Sequence, residues 1–323
     1  MALAGTGKDS GYQERLISIL KGRKNPLVHL THNDLDAVGG DAIHRMRFGS
    51  ITSIFCSIGS FPPTLDTLAI VDGTGGVLSI SDLGYQRGIE ERIRRVREAG
   101  WRIEWRDHHR WSEADKKMCE PFCDLLLIDT STCGCGICAR DLLPNNPLAA
   151  EVARVVCDYD LWKHEDPRSA VLGVVLQRKK NRDYVRDRLV EGVFSDPYIE
   201  GEYREIVSEM EARIQKSIRK AVIRGTKYRI AFSPLYGYPS ETADRMRKAL
   251  SSDLEVLVSP EGRFSLRSVA PISHIIAREF DGGGHPNAAG GNFHFSIWDR
   301  ILFLFLGKAP QFKKFVELAE SLE

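Results

Sequence analysis

The stretch WRIEWRDHH, residues 101–109, decides how this chain is expected to fold. Its first half alternates apolar and polar residues, the period-two pattern of a strand. It stops on an aspartate and two histidines, polar groups that cost free energy to bury without a partner. Just upstream, YQRGIEERIRRVREAG (85–100) has helical periodicity, with Gly100 placed to cap it. Further out, PLVHLTH (26–32) reads as a strand entering a loop, and DAVGGDAIHRMRFG (36–49) as a loop leading into a helix. TLAIVDGTG (67–75) reads as a buried strand ending in an aspartate and a Gly-rich turn, and DLLLIDTS (124–131) as another apolar run that meets an aspartate. Strands alternating with helices imply βαβ units and a mostly parallel sheet. In such sheets ligands sit beyond the carboxyl ends of the strands. The acidic and histidine residues of this chain repeatedly fall at those expected ends.

A chain of 323 residues, 42% apolar and 28% charged, suits a globular protein of about two domains. The formal charge of +1 gives no global pull toward nucleic acid or a membrane, so any basic surface must be local. The longest apolar run, ILFLFLG (301–307), is far short of the ~20 residues that span a bilayer, so no membrane partner is expected. The first residues, MALAGTGKDSGYQ, lack the basic and apolar regions of a signal peptide. Seven cysteines, an odd number, suggest reduced thiols and a cytoplasmic location. Residues 198–225 are highly charged, with Ile206, Met210, Ile214, Ile218 and Val222 at helical spacing, and read as one long connector helix ended by Gly225. A second alternating region follows and ends in helical material. The expected organisation is therefore 1–197, a connector at 198–225, and 226–323.

Four clusters carry the chemistry. HNDLDAVGG supplies His32, Asp34 and Asp36, which an Asx-type turn would explain if it stood alone. LAIVD supplies Asp72, and RDHH supplies Asp107, His108 and His109. In VVCDYDLWKHEDP, Asp158 and Asp160 follow an apolar run. Together these give about five carboxylates and two or three imidazoles, a mixed N/O set that suits two Mn²⁺ or Mg²⁺ ions better than one structural zinc. Two such ions can bridge a water, lower its pKa and stabilise both attacking and leaving oxygens at phosphorus.

HNDLDAVGG, LAIVDGT and RDHHRW resemble motifs I to III of the DHH phosphoesterase superfamily. SLRSVAPISHIIAREFDGGGHPNAAGG (265–291) resembles the signature of its C-terminal DHHA1 domain. The resemblance implies an α/β fold, with an N-terminal DHH domain built on a mostly parallel sheet flanked by helices and a smaller C-terminal α/β DHHA1 domain. It implies that His32, Asp34, Asp36, Asp72, His108 and Asp158 hold two Mn²⁺ ions, with Mg²⁺ as the alternative, and that Asp36 and Asp72 bridge them. His29 and Asp160 stand as alternatives to His32 and Asp158. Asp107 would orient a histidine ring, and His109 would face the substrate as a phosphate-contacting or acid-transfer residue. Arg267, Gly282, Gly283, Gly284 and His285 would bind the substrate's phosphate, since consecutive glycines let backbone N–H groups approach an anion closely. The implied activity is metal-dependent hydrolysis of phosphodiester or phosphomonoester bonds in short oligonucleotides or nucleotides, as in nanoRNase/pAp phosphatases. A RecJ-like single-strand exonuclease and a catalytically weak nucleic-acid-binding protein are the alternatives. Single-stranded nucleic acid and a second copy of the chain are the other partners considered.

Other features compete for attention. CEPFC (119–123) and CGCGIC (133–138) offer spacings of a zinc or iron–sulfur site, although Gly134 and Gly136 equally suit the turn that starts a helix. Cys157 reads as core. The basic runs ERIRRVR (91–97) and RKKNRDYVRDR (178–188) suit either a phosphate backbone or a solvated helix face. Among Trp101, Trp105, Trp111 and Trp162, one could stack a base.

Overall fold

The computed structural model describes residues 7–322. The chain divides into two compact units, one ending at Tyr203 and the other beginning at Arg204. The first unit opens with α1 (Gly7–Lys21) and then alternates strand and helix: β1 (Leu27–Thr31), α2 (Leu35–Phe48), β2 (Thr52–Phe55), α3 (Phe61–Leu68), β3 (Val77–Ser81), α4 (Ile89–Glu98), β4 (Arg102–Asp107), α5 (Glu113–Cys119) and β5 (Leu125–Ile128). The five strands are all parallel, in the order β2-β1-β3-β4-β5. Helices α6 (Gly134–Leu142), α7 (Pro147–Asp160), α8 (Pro167–Val175) and α9 (Arg182–Val190) follow, and the unit boundary falls within α10 (Pro197–Arg219).

The two faces of this sheet differ in chemistry. Val28, Leu30, Leu78, Ile80, Ile103 and Trp105 point to one side and pack with α1, α3 and α4 in an apolar core. The intervening residues form a buried polar layer. The His29 ring lies between Asp41 (2.7 Å) and Ser81 (2.8 Å), and His44 bonds Ser79 at 2.8 Å. Arg106 donates to the same Ser79 at 2.9 Å, and the His29 and His44 rings stack at 3.9 Å. Buried polar groups of this kind are tolerated because each has a partner. The remaining apolar faces of α2, α6, α7, α8 and α9 form a second core, with Val38, Ile43, Val152, Val156 and Leu172 among its members.

Strand order positions the site. The chain runs from β1 outward to β2, then crosses to β3 on the opposite flank of β1. The crevice between β1 and β3 is therefore a topological switch point, where ligands bind in open parallel sheets.

Three expected elements differ from those observed. TLAIVDGTG is not a strand: α3 ends at Leu68, a turn carries Asp72, and the strand is the next apolar run, Val77–Ser81. VVCDYD lies at the end of helix α7 rather than at a strand end. The long helix stops at Arg219, and Val222 begins a strand instead of continuing the helical stripe.

In the second unit, β6 (Val222–Arg224), β7 (Ile230–Pro234), α11 (Pro239–Leu250), β8 (Leu254–Val258), β9 (Arg263–Ser268), α12 (Ser273–Arg278), β10 (Gly283–His285) and β11 (Ala288–Asn292) precede α13 (Ile297–Leu306) and α14 (Gln311–Ser321). The six strands form one mixed sheet, β10-β11-β9-β8-β7-β6, in which only β7 and β8 pair in parallel. Its core is built largely from phenylalanines, with Phe315 fully buried against the rings of Phe232, Phe264, Phe280 and Phe293.

Candidate metal centre

Seven ionisable side chains converge at the carboxyl edge of β1, β3 and β4. From the end of β1 come His32 and Asp34, whose ring and carboxylate meet at 2.7 Å. Asp34 also caps α2 by accepting from the Ala37 amide at 3.1 Å. Asp36, in the first turn of α2, is buried and accepts from the Gly134 and Cys135 amides, each at 2.7 Å. Those two N–H groups open α6, where unpaired amides and the helix dipole favour an anion. A side chain at Gly134 would come within 2.8 Å of the Asp36 carboxylate, so this glycine is required for the approach.

Asp82 follows β3 directly and is buried, with a φ of 51° that is uncommon outside glycine, asparagine and aspartate. From the end of β4, His108 Nε2 lies 3.3 Å from Asp82 and 3.7 Å from Asp36, while its Nδ1 lies 3.7 Å from Asp160. Asp160 is the last residue of α7. Ligand-type atoms of Asp82, His108 and His109 fall within 4.8 Å of one another, as do those of His32, Asp34 and Asp82, and those of Asp36, His108 and Asp160.

The electrostatics are those of a site short of positive charge. Burial, and then the charges of Asp160 and Asp34, push the Asp36 carboxyl well above its usual range despite its two amides. Burial and the charges of Asp34, Asp36 and Asp160 do the same to Asp82. Asp160 is raised to about 6, first by burial and then by Asp34. Burial and the neighbouring His109 lower His108, so its ring is neutral and can act as a ligand at neutral pH. Asp82 Oδ2 and Asp160 Oδ2 are buried without a hydrogen-bond partner. Buried carboxylate oxygens left unpaired and facing like charges fit a site for divalent cations, which would supply the missing charge.

The expected site residues distribute as follows. His32, Asp34, Asp36 and His108 are brought together, with His109 at the same edge. Asp72 is not among them: it lies in the exposed turn before β3, at the opposite edge of the sheet, and accepts from the Thr74 amide at 2.9 Å. The aspartate at the end of the neighbouring strand is Asp82. Asp158 is also elsewhere, accepting from the Glu165 and Asp166 amides and from Ser169, and so organising the loop after α7. Asp160 reaches the cluster in its place. His29 belongs to the polar layer beneath. The Asp107 carboxylate is buried and bonds the ring of His109 at 2.8 Å and the Trp111 indole at 2.8 Å. The ring it orients is therefore that of His109, whose pKa this bond raises.

In the second unit, GGGH is a β hairpin rather than an open cradle. Gly283–His285 pairs with Ala288–Gly290, and Ala288 pairs in turn with Arg267. Arg267, Ala288 and His285 thus form one rung and share a face of the sheet. A side chain at Gly282 would meet the Gly290 carbonyl oxygen at 1.9 Å, and Gly284 has a φ of 138°, so close strand approach explains both glycines. Gly283 has open space around it. Arg267 donates to Ser240 Oγ at 3.0 Å and Ser265 Oγ at 3.1 Å. His274, on α12 beside the hairpin, has a buried Nδ1 without a partner.

The cysteines follow neither expectation in full. Cys133 and Cys157 form a disulfide, so the thiols are not all reduced. Among the described residues no cysteine joins a cluster that could hold a metal. The first basic run is neutralised locally, and most of the second is. Arg92 and Arg95 pair with Asp66, Arg94 with Glu91 and Glu98, and Arg97 with Asp124. In the second run Lys180 pairs with Glu202, Arg186 with Asp183, and Arg188 with Glu191. Trp101, Trp105 and Trp111 are core residues, whereas Trp162 is 54% exposed.

A doubly flanked parallel sheet with a carboxylate–imidazole cluster at its switch point, followed by a second, mixed-sheet unit, defines the class of this protein. The fold is that of DHH-domain proteins. It is similar to the DHH domain of a member of a ribosomal-protein family (13% identity, 98% of this chain and 93% of that one, TM-score 0.63). It is similar to exonuclease RecJ bound to manganese (17% identity, 100% and 97%, TM-score 0.58). A pGpG-specific phosphodiesterase of Vibrio cholerae aligns over 92% of this chain and 100% of its own, at 10% identity and a TM-score of 0.56. No protein-family model and no curated protein matches the chain.

Proposed function

We propose that this protein is a divalent-cation-dependent phosphoesterase acting on short oligonucleotides or nucleotides. The observation that carries this reading is the cluster itself, which gathers buried carboxylates and a neutral imidazole with two carboxylate oxygens left unpaired. Its residues would hold Mn²⁺ or Mg²⁺ through His32, Asp34, Asp36, Asp82, His108 and Asp160. Ions bound there supply charge neutralisation at phosphate oxygens and make a water more acidic. The solved proteins of like fold include a manganese-bound exonuclease and a pGpG phosphodiesterase, which is consistent with this reading.

The chain's own residues perform the remaining work. The amides at the start of α6 fix Asp36, and the rigid end of β3 fixes Asp82. Asp107 holds His109 in one orientation and favours its protonated form, so that the ring can donate to a phosphate oxygen or to the leaving group. Arg267 and His285 offer donors on one rung of the second sheet for a terminal phosphate. Trp162 follows Asp160 by two residues, exposed and with a φ of 58° that is unusual for a bulky side chain. Its ring is the platform for a base. Stacking of this kind contributes ~1–3 kcal/mol.

The test is hydrolysis in Mn²⁺ of a panel comprising a dinucleotide, a pentamer, a long single strand, a cyclic dinucleotide, pAp and pyrophosphate. Cleavage confined to short members or nucleotides supports the reading. Preference for the long strand would favour an exonuclease, and no turnover with retained nucleic-acid binding would overturn the enzymatic reading. Trp162→Ala should weaken use of the dinucleotide about 5- to 100-fold and leave Mn²⁺ binding unaffected.

A further inference from the structure

Helix α13, IWDRILFLFL, is apolar on nearly every face, and water is an unsuitable neighbour for most of it. Phe303, 1% exposed, is its anchor in the phenylalanine core of the second unit. Trp298 is 78% exposed and Phe305 83%, and Ile297, Leu304 and Leu306 are exposed as well. Together with Ile301 and Leu302 they make seven exposed apolar side chains on one helix, and exposed apolar patches larger than roughly 300–600 Å² mark interaction sites.

The pattern identifies the partner. Six of the seven exposed apolar residues are arranged symmetrically about the midpoint between Ile301 and Leu302, the exception being Leu304, whose counterpart is Asp299. Trp298 and Phe305 lie equally far from it on either side, and so do Ile297 and Leu306. At ~100° per residue, Trp298 and Phe305 fall within about 20° of one line along the helix, flanked at about 50° by Ile301 and Leu302. Phe303 and the two charged residues of the helix, Asp299 and Arg300, lie on the far side. A stripe that reads nearly the same in both directions is self-complementary under a two-fold axis, as an isologous contact requires. We infer that α13 pairs antiparallel with α13 of a second copy of this chain. Trp298 of each copy then packs on Phe305 of the other, and Ile301 and Leu302 meet their own counterparts at the axis. A membrane surface suits the helix less well, because interfacial helices carry a Lys/Arg-rich polar face and α13 has one arginine and no lysine.

Light scattering and sedimentation of the full chain at tens of micromolar test the inference. Wild type should have twice the mass of one chain. Trp298→Glu and Phe305→Glu should each yield a monomer with an unchanged circular dichroism spectrum. Leu302→Cys should crosslink to its own copy on mild oxidation, whereas Asp299→Cys, on the far side, should not. A monomeric wild type, a dimer that persists in both glutamate variants, or a monomer that floats with phosphatidylcholine–phosphatidylglycerol vesicles would each overturn it.

Discussion

Asp82 is held with its backbone in the left-handed region and its carboxylate among three others, an arrangement that costs the fold stability. Asparagine tolerates that backbone equally well and carries no charge. Asp82→Asn should therefore raise the melting temperature of the chelated protein while lowering turnover by about 100-fold or more, since altering even the groups that support a ligand costs about 10–100-fold. Calorimetry in EDTA and a phosphoesterase assay in Mn²⁺ read the two effects separately. Asp72→Asn should leave turnover within about twofold, as expected of a surface position away from such features. That histidines stand at the carboxyl ends of β1 and β4 was legible in the sequence because each strand pattern runs into them, but the choice between His29 and His32 was not. Asp72 and Asp82 were not separable by the same rule, since LAIVD and VLSISD both run apolar into an aspartate. The distinguishing signal is helical: Phe61, Leu65 and Leu68 are spaced for one face, and Pro62 and Pro63 suit a helix start, which makes LAIVD the tail of a helix. Asp158 and Asp160 sit about 200° apart around α7, so only one of them can face the site. Nothing in the local pattern says which.

At the scale of elements, α6 and α7 act as a clamp. The amides at the start of α6 hold Asp36, α7 carries Asp160, and the Cys133–Cys157 disulfide ties the two helices together across 24 residues. Reduction, or Cys133→Ser, should lower unfolding free energy by about 2–4 kcal/mol in denaturant titrations and weaken cation binding measured by calorimetry. A second tie joins α10 to the segment before α9. Glu202 accepts from Lys180, Asn181 and Arg178, and those bonds, led by that from Lys180, hold it at about 2 against an ordinary 4.5. Because the folded value is the lower one, this stabilisation is complete above pH 4.5 and is lost as pH falls toward 2. Glu202→Gln should be less stable than wild type at pH 7, and the gap should close across that window in acid unfolding curves. The pairing itself could not be read in advance, because RKKNRDYVRDR reads as a basic surface until the residue facing it is known.

For the whole molecule, a cluster that holds cations as proposed would link folding to them. Ions that bind only the assembled site stabilise it by mass action, by about 2.7 kcal/mol at one hundred times the dissociation constant. Thermal unfolding should therefore shift upward as Mn²⁺ is added and return when EDTA removes it. The two-sheet architecture was legible from the alternation of strand and helix patterns and from the second alternating region. The polar layer of His29, His44 and Arg106 was not, because alternation does not say which polar residues are buried in pairs. The distribution of the cluster's residues along the chain has a temporal consequence. His32 leaves the ribosome 128 residues before Asp160, and all five strands can pair before α7 appears. At about 5–20 residues per second, all five strands are synthesised some seconds before Asp160. If the cluster holds cations as proposed, a stalled chain ending before Asp160 should compete for them poorly, and the full chain should compete well.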